Sequence, residues 1–214
     1  MEEDIAIIDQ KTKEQKIKDF FLKYKKIIYI LLLLFIISLF SIFFYKDYKV
    51  EKNKELASKY LFIQANYSKD KNDFFSKELI SIINKKNKTY SILALLFLVD
   101  NEVLDNKSDV NFYFEYAIKN IDLDKDSKNL LIFKKAIFNS EFANENELLK
   151  ILSPIINSES IWKPHSLLLL GDYFLSKGEK EKARDFFNQI LINKQANQNI
   201  ISQSQARLRR LLSE

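Results

Sequence analysis

From Ile27 to Tyr45 the chain reads IIYILLLLFIISLFSIFFY, 19 residues without a charge between Lys26 and Lys46. Wound as an α-helix, the run spans ~28 Å, close to the ~30 Å hydrocarbon core of a bilayer. A helix apolar on every side must be covered by protein or by lipid, and core helices seldom lack every charge over so many turns. The run is therefore expected to be a transmembrane helix, with residues 1–26 as a tail before it and 46–214 as a domain after it. A cleaved signal peptide is the rival explanation. The apolar stretch is long for that role, and Ser41 to Lys49 reads SIFFYKDYK, with no small-residue cleavage site. The run is expected to stay attached as a signal anchor.

Orientation follows from the basic residues beside it. Lys23, Lys25 and Lys26 abut the run on its N-terminal side, behind Lys11, Lys13, Lys16 and Lys18. Lys46, Lys49, Lys52, Lys54 and Lys59 lie on the other side. Long downstream domains translocate largely regardless of charge, so the short tail is expected in the cytoplasm and the domain outside it. Tyr24, Tyr29, Tyr45 and Tyr48 suit an interfacial aromatic belt.

Two glycines and two prolines in 214 residues leave little for β-turns or glycine-rich phosphate loops, and favour long helices joined by polar links. With no cysteine, disulfides, thiolate catalysis and Cys-based metal sites are excluded. The net charge of +5 is spread out: residues 1–26 hold seven Lys and six acids, leaving 27 basic and 23 acidic residues downstream. Lys and Glu or Asp alternate there without forming a basic stripe, so nucleic-acid binding is not expected.

Beyond Tyr45 apolar residues recur at helical spacing, as in Leu56, Tyr60, Ile63 and Tyr67, then Phe75, Leu79, Ile82 and Ile83. Polar breaks near 69–72, 85–88, 105–108, 122–127, 144–146, 157–160, 177–179 and 193–199 divide the domain into short helices. Short links imply antiparallel hairpins. The clearest repeat starts after Ile161-Trp162-Lys163-Pro164 and carries Leu170-Gly171, Phe174, Gly178, Ala183 and Phe187. This resembles the tetratricopeptide repeat: Gly171 and Ala183 let two helices approach, and Phe187 fills the space beyond them. Two weaker copies precede it. Phe97, Val110, Phe114 and Ala117 stand 73 residues before Leu170, Ala183, Phe187 and Ile190; Ala136, Leu148, Leu152 and Ile155 stand 35 before Gly171, Ala183, Phe187 and Ile190. The expected fold is all-α, an N-terminal transmembrane helix followed by a tetratricopeptide-like α-solenoid of antiparallel helix pairs. Helices at 49–68 and 200–212 are expected to flank or cap it.

Taken together, the charged tail, the single anchor, the helical domain, the Trp162 to Tyr173 segment and Gly178 to Phe187 resemble the YfgM-like family, the membrane-anchored ancillary subunit of the bacterial SecYEG translocon. That resemblance implies a single-pass bacterial inner-membrane protein with a periplasmic domain. The implied partners are the Sec translocon, periplasmic chaperones and exported clients.

The residues themselves offer little chemistry. His165 is the only histidine, so a His-based triad or a two-His metal site cannot form within one chain. Glu145 with Glu147, and Glu179 with Glu181, read as solvated turns. No cofactor, metal site or catalytic residue is expected, and a membrane-tethered hydrolase is the disfavoured alternative. What remains is binding. Projected on the repeat, the first-helix positions facing a concave surface are Ile92, Leu95 and Val99, then Leu130, Phe133 and Ile137, then His165, Leu168 and Asp172. They form either an apolar groove for hydrophobic or amphipathic segments or core covered by another helix of the chain. The expected function is non-catalytic protein interaction at the membrane, with a scaffold for envelope assembly or cell division as the alternative.

Overall fold

Each polar break overlaps a link between helices in the computed structural model, which describes residues 2–213. The side chains of 2–14, 16, 17, 19, 21, 28 and 213 fall outside that description, so Lys11, Lys13, Lys16 and Glu214 lie outside the described residues. The helices are α1 (Glu2–Asn66), α2 (Asn72–Ile83), α3 (Tyr90–Asp100), α4 (Lys107–Asn120), α5 (Lys125–Asn139), α6 (Glu145–Ile156), α7 (Lys163–Ser176), α8 (Lys180–Leu191) and α9 (Gln198–Ser213). There is no strand among the described residues.

Local chemistry sets these boundaries. Asn106 caps α4 by accepting from the Ser108 amide, and Asp124 caps α5 by accepting from those of Asp126 and Ser127. At α6, Asn144 and Glu147 exchange side-chain and backbone bonds in a capping box. Pro164 occupies the first turn of α7, where no amide is needed. Gly178 ends α7 at φ +78, a left-handed conformation. Its amide bonds to the Leu175 carbonyl, and that of Glu179 to the Phe174 carbonyl. With so little glycine available, Lys86 and Glu102 take the same left-handed role after α2 and α3, at φ 54 and 52.

The chain divides into two units, residues 1–55 and 56–214. The first contains the apolar run, whose described large side chains are all exposed. Among the described residues α1 is the one helix long and apolar enough to cross a membrane, with mean hydropathy 3.0 over its most apolar window. Ser41 donates its hydroxyl to the Ile37 carbonyl at 2.9 Å, which satisfies that polar group within the helix.

In the second unit α5 pairs with α6 and α7 with α8, whereas α3 packs more extensively on α2 than on α4, its partner in the repeat. Residues of each second helix point inward at the repeat positions: Val110, Phe114 and Ala117; Leu148, Leu152 and Ile155; Ala183, Phe187 and Ile190 are all buried. How closely a pair packs follows the residue at the crossing. Gly171 stands there in α7, Ala136 in α5 and Leu98 in α3. Backbone contact is most extensive for α7/α8, intermediate for α5/α6 and least for α3/α4. A smaller side chain lets two helix axes come nearer, and the gain is van der Waals contact along both.

Flanking elements close both ends. Tyr60 of α1 and Tyr67 after it meet the Phe97 ring edge to face, at 6.2 and 5.3 Å, while Lys59 pairs with Glu78 of α2 at 2.7 Å. At the other end α9 buries Ile200, Ser204 and Leu211. Continuing the 35-residue offset from Leu167, Leu170, Gly171 and Phe174 gives Ser202, Gln205, Ala206 and Arg209, all exposed. α9 thus carries polar or small residues where α7 presents apolar ones to α8.

Two buried clusters run through this unit. One joins the end of α1 to α2, α3, α4 and Leu131; the other joins Ile132 and Ala136 to α6, α7, α8 and α9. They divide within α5, where Leu131 and Ile132 point to different sides.

Candidate functional site

The first-helix stripe is shallower than a groove. Ile92 and Val99 of α3 are half-buried against the first cluster, and Phe133 and Leu168 against the second. Leu130 is half-buried, and Ile137 is 41% exposed. Leu95 is a correction: it is fully buried with Leu79, Ile82 and Ile83. The reason is that α2 packs along α3 more extensively than α4 does, covering a position that the repeat projection left at the surface. Asp172 is half-buried and ion-paired with Arg207 of α9, one oxygen accepting from Nε and the other from Nη2 at 2.8 Å.

Between α5 and α7 the stripe carries three rings. Phe133 stacks on Trp162 at 5.8 Å, and His165 lies 5.4 Å from Trp162 and 6.0 Å from Phe133. Trp162 Nε1 and His165 Nδ1 are both buried without a hydrogen-bond partner among the described residues. An unmet polar atom of this kind costs about 1–3 kcal/mol. The sequence pointed to His165 as a lone helix-start residue; the ring cluster depends on α5, some thirty residues earlier in the chain.

In α7 and α8 the structure brings Gly171, Ala183 and Phe187 together. Ala183 and Phe187 are fully buried, and a Cβ on Gly171 would lie 2.7 Å from Phe187 Cδ1 and 2.8 Å from Cζ, well inside van der Waals contact.

A second concavity of about 620 Å³ lies on the opposite side of α5, between α4 and α6. Residues 130, 133 and 137 point one way and 132, 135 and 139 the other, because each residue turns the helix by about 100°. Its floor is polar. Asn111 and Asn139 exchange side-chain bonds of 3.0 and 2.8 Å, and Lys135, only 13% exposed, is ion-paired with Glu115. Glu115 also meets Lys119 at 3.1 Å. The Lys135 hydrogen bond, followed by Lys119, holds the Glu115 carboxyl below its usual range against the opposing effect of burial. Ile118, Ile132, Ile151, Pro154 and Phe142 form apolar walls.

This floor breaks the repeat. At the 35-residue offset, Lys135 and Asn139 correspond to Leu170 and Phe174, which are core residues in the following pair. The sequence analysis did not single out these groups. Its available signal was Lys135 and Asn139, at i, i+4 spacing, where the clearest repeat has Leu170 and Phe174.

Among known families, the tetratricopeptide repeat-like domain matches residues 18–211. The chain belongs to this family. No curated protein and no solved structure matches it. The membership accounts for the helix pairs and supports a protein-interaction role, since helix-pair repeats expose extended surfaces.

Proposed function

We propose that this chain is a single-pass inner-membrane protein whose helix-pair domain binds proteins and catalyses nothing. α1 anchors it through residues 27–45, with the tail cytoplasmic and the domain periplasmic. The partners are those the YfgM-like resemblance implies: the Sec translocon, periplasmic chaperones and exported clients. The observation that carries this reading is one long apolar helix followed by a tetratricopeptide-like domain whose first-helix stripe keeps Ile137, Phe133 and Leu168 at or near the surface.

Topology and partner contact are tested together. A reporter active only outside the cytoplasm should be active at the C-terminus and silent at the N-terminus. A photoreactive side chain at Ile137 should crosslink to translocon or chaperone subunits in intact cells, whereas one at Lys180 should not. The reverse reporter pattern overturns the orientation, and equal crosslinking at the two positions removes the stripe as the contact surface.

A further inference from the structure

We propose that the cleft between α4 and α6, floored by α5, is a second binding site, and that it takes an uncharged extended polypeptide segment through its backbone amides. It lies on the side of α5 opposite the stripe of the proposed function, so the two sites are separable by mutation.

Three observations point to this occupant. The first is the repeat-breaking floor: Lys135 and Asn139 occupy positions where the next pair has Leu170 and Phe174. Apolar residues there would join the two buried clusters into one; polar residues leave a seam between them, with a cleft above it. Lys135 is largely buried and its partner Glu115 half-exposed, and a charge so placed is seldom more stabilising than a well-packed apolar side chain, so stability alone does not account for Lys135. The second is charge. The lining holds two acids, Glu115 and Glu147, and two bases, Lys135 and Lys150, so neither sign is in excess there. A neutral ligand leaves the Lys135–Glu115 ion pair intact. The third is hydrogen-bonding capacity. Each asparagine amide has two donors and two acceptor lone pairs. Asn111 and Asn139 use one donor each on the other, and Asn139 adds a 2.7 Å bond to the Lys135 carbonyl. Pro154 further lacks the amide that would bond the Lys150 carbonyl in a regular helix, and both residues line the cleft. The remaining Asn111 donor and one free lone pair on each amide oxygen, flanked by Ile118, Ile132 and Ile151, suit a peptide backbone with small apolar side chains. At about 620 Å³ the space falls within the usual range of ligand sites.

The test uses the full chain in lipid nanodiscs and a fluorescent, end-blocked eight-residue peptide of alternating valine and serine, read by polarisation. A second peptide with the same side chains but N-methylated at alternate amides retains the apolar surface and loses backbone donors. Saturable binding of the first, at least tenfold tighter than the second, is expected. The double variant Asn111→Leu/Asn139→Leu removes both partners of the floor bond together and should keep its melting transition while losing at least tenfold in affinity. Phe142→Ala, at one wall, should weaken binding without unfolding the domain, and Lys180→Ala in α8 should leave it unchanged. Lack of saturable binding, equal binding of the N-methylated peptide, or full affinity in the double variant overturns the proposal. Since photocrosslinking at Ile137 addresses the other face, either site can fail while the other stands.

Discussion

Replacing Gly171 with Ala adds a single methyl group, and the structure states what it would meet. The new Cβ would lie 2.7 and 2.8 Å from Phe187 Cδ1 and Cζ, so the ring must move by about 1 Å to restore ordinary contact. Phe187 is fully buried in the second cluster, and such overpacking costs about 1–3 kcal/mol. The intrinsic helix preference for Ala over Gly returns about 1 kcal/mol. The net expectation is a loss of up to about 2 kcal/mol. The preceding pair supplies the remedy, because there Ala136 is accompanied by Leu152 at the position equivalent to Phe187. Phe187→Leu alone should leave a cavity and destabilise, while Gly171→Ala/Phe187→Leu should recover at least about 1 kcal/mol relative to additivity. Urea unfolding of the four proteins, followed through Trp162, the only tryptophan, measures this cycle. Gly171→Ala more stable than the parent, or strict additivity in the double variant, would refute the crossing argument.

Glu115 contributes stability above its unfolded pKa, and that contribution is lost as pH falls through its lowered folded value; the parent should therefore weaken below about pH 4.5, and Glu115→Gln should flatten that part of a Tm–pH curve. Glu102→Gly relieves a left-handed non-glycine residue at φ 52 and should raise stability by up to ~1 kcal/mol in urea titrations, whereas Glu102→Ala, at the same φ, should not. Arg207→Ala breaks the two-point pairing of α9 with Asp172 and should cost about 1 kcal/mol, discounted for its partial exposure; faster amide exchange in α9 than in α7 would register the loosened cap, and unchanged exchange would count against it.

Much of the architecture was legible in the sequence because it depends on local chemistry. A charge-free run of 19 residues specifies one helix long and apolar enough for a bilayer, and the polar breaks place the links. Gly171, Ala183 and Phe187 lie within 17 residues, so their spacing on two consecutive helices follows from helical period and one short turn. What a helical face meets is a different matter, since period marks a face without naming its cover. By sequence Leu95 suited a groove or a covered core alike, and only α2 lying along α3 decides for core. The floor of the cleft was illegible for the same reason: Glu115 and Lys135 are 20 residues apart and Asn111 and Asn139 are 28 apart, on helices joined by a turn. Read singly they are ordinary polar residues on amphipathic helices. Packing α4 against α5 turns them into a paired seam between two apolar clusters, because buried polar groups must find partners wherever the tertiary structure brings them together.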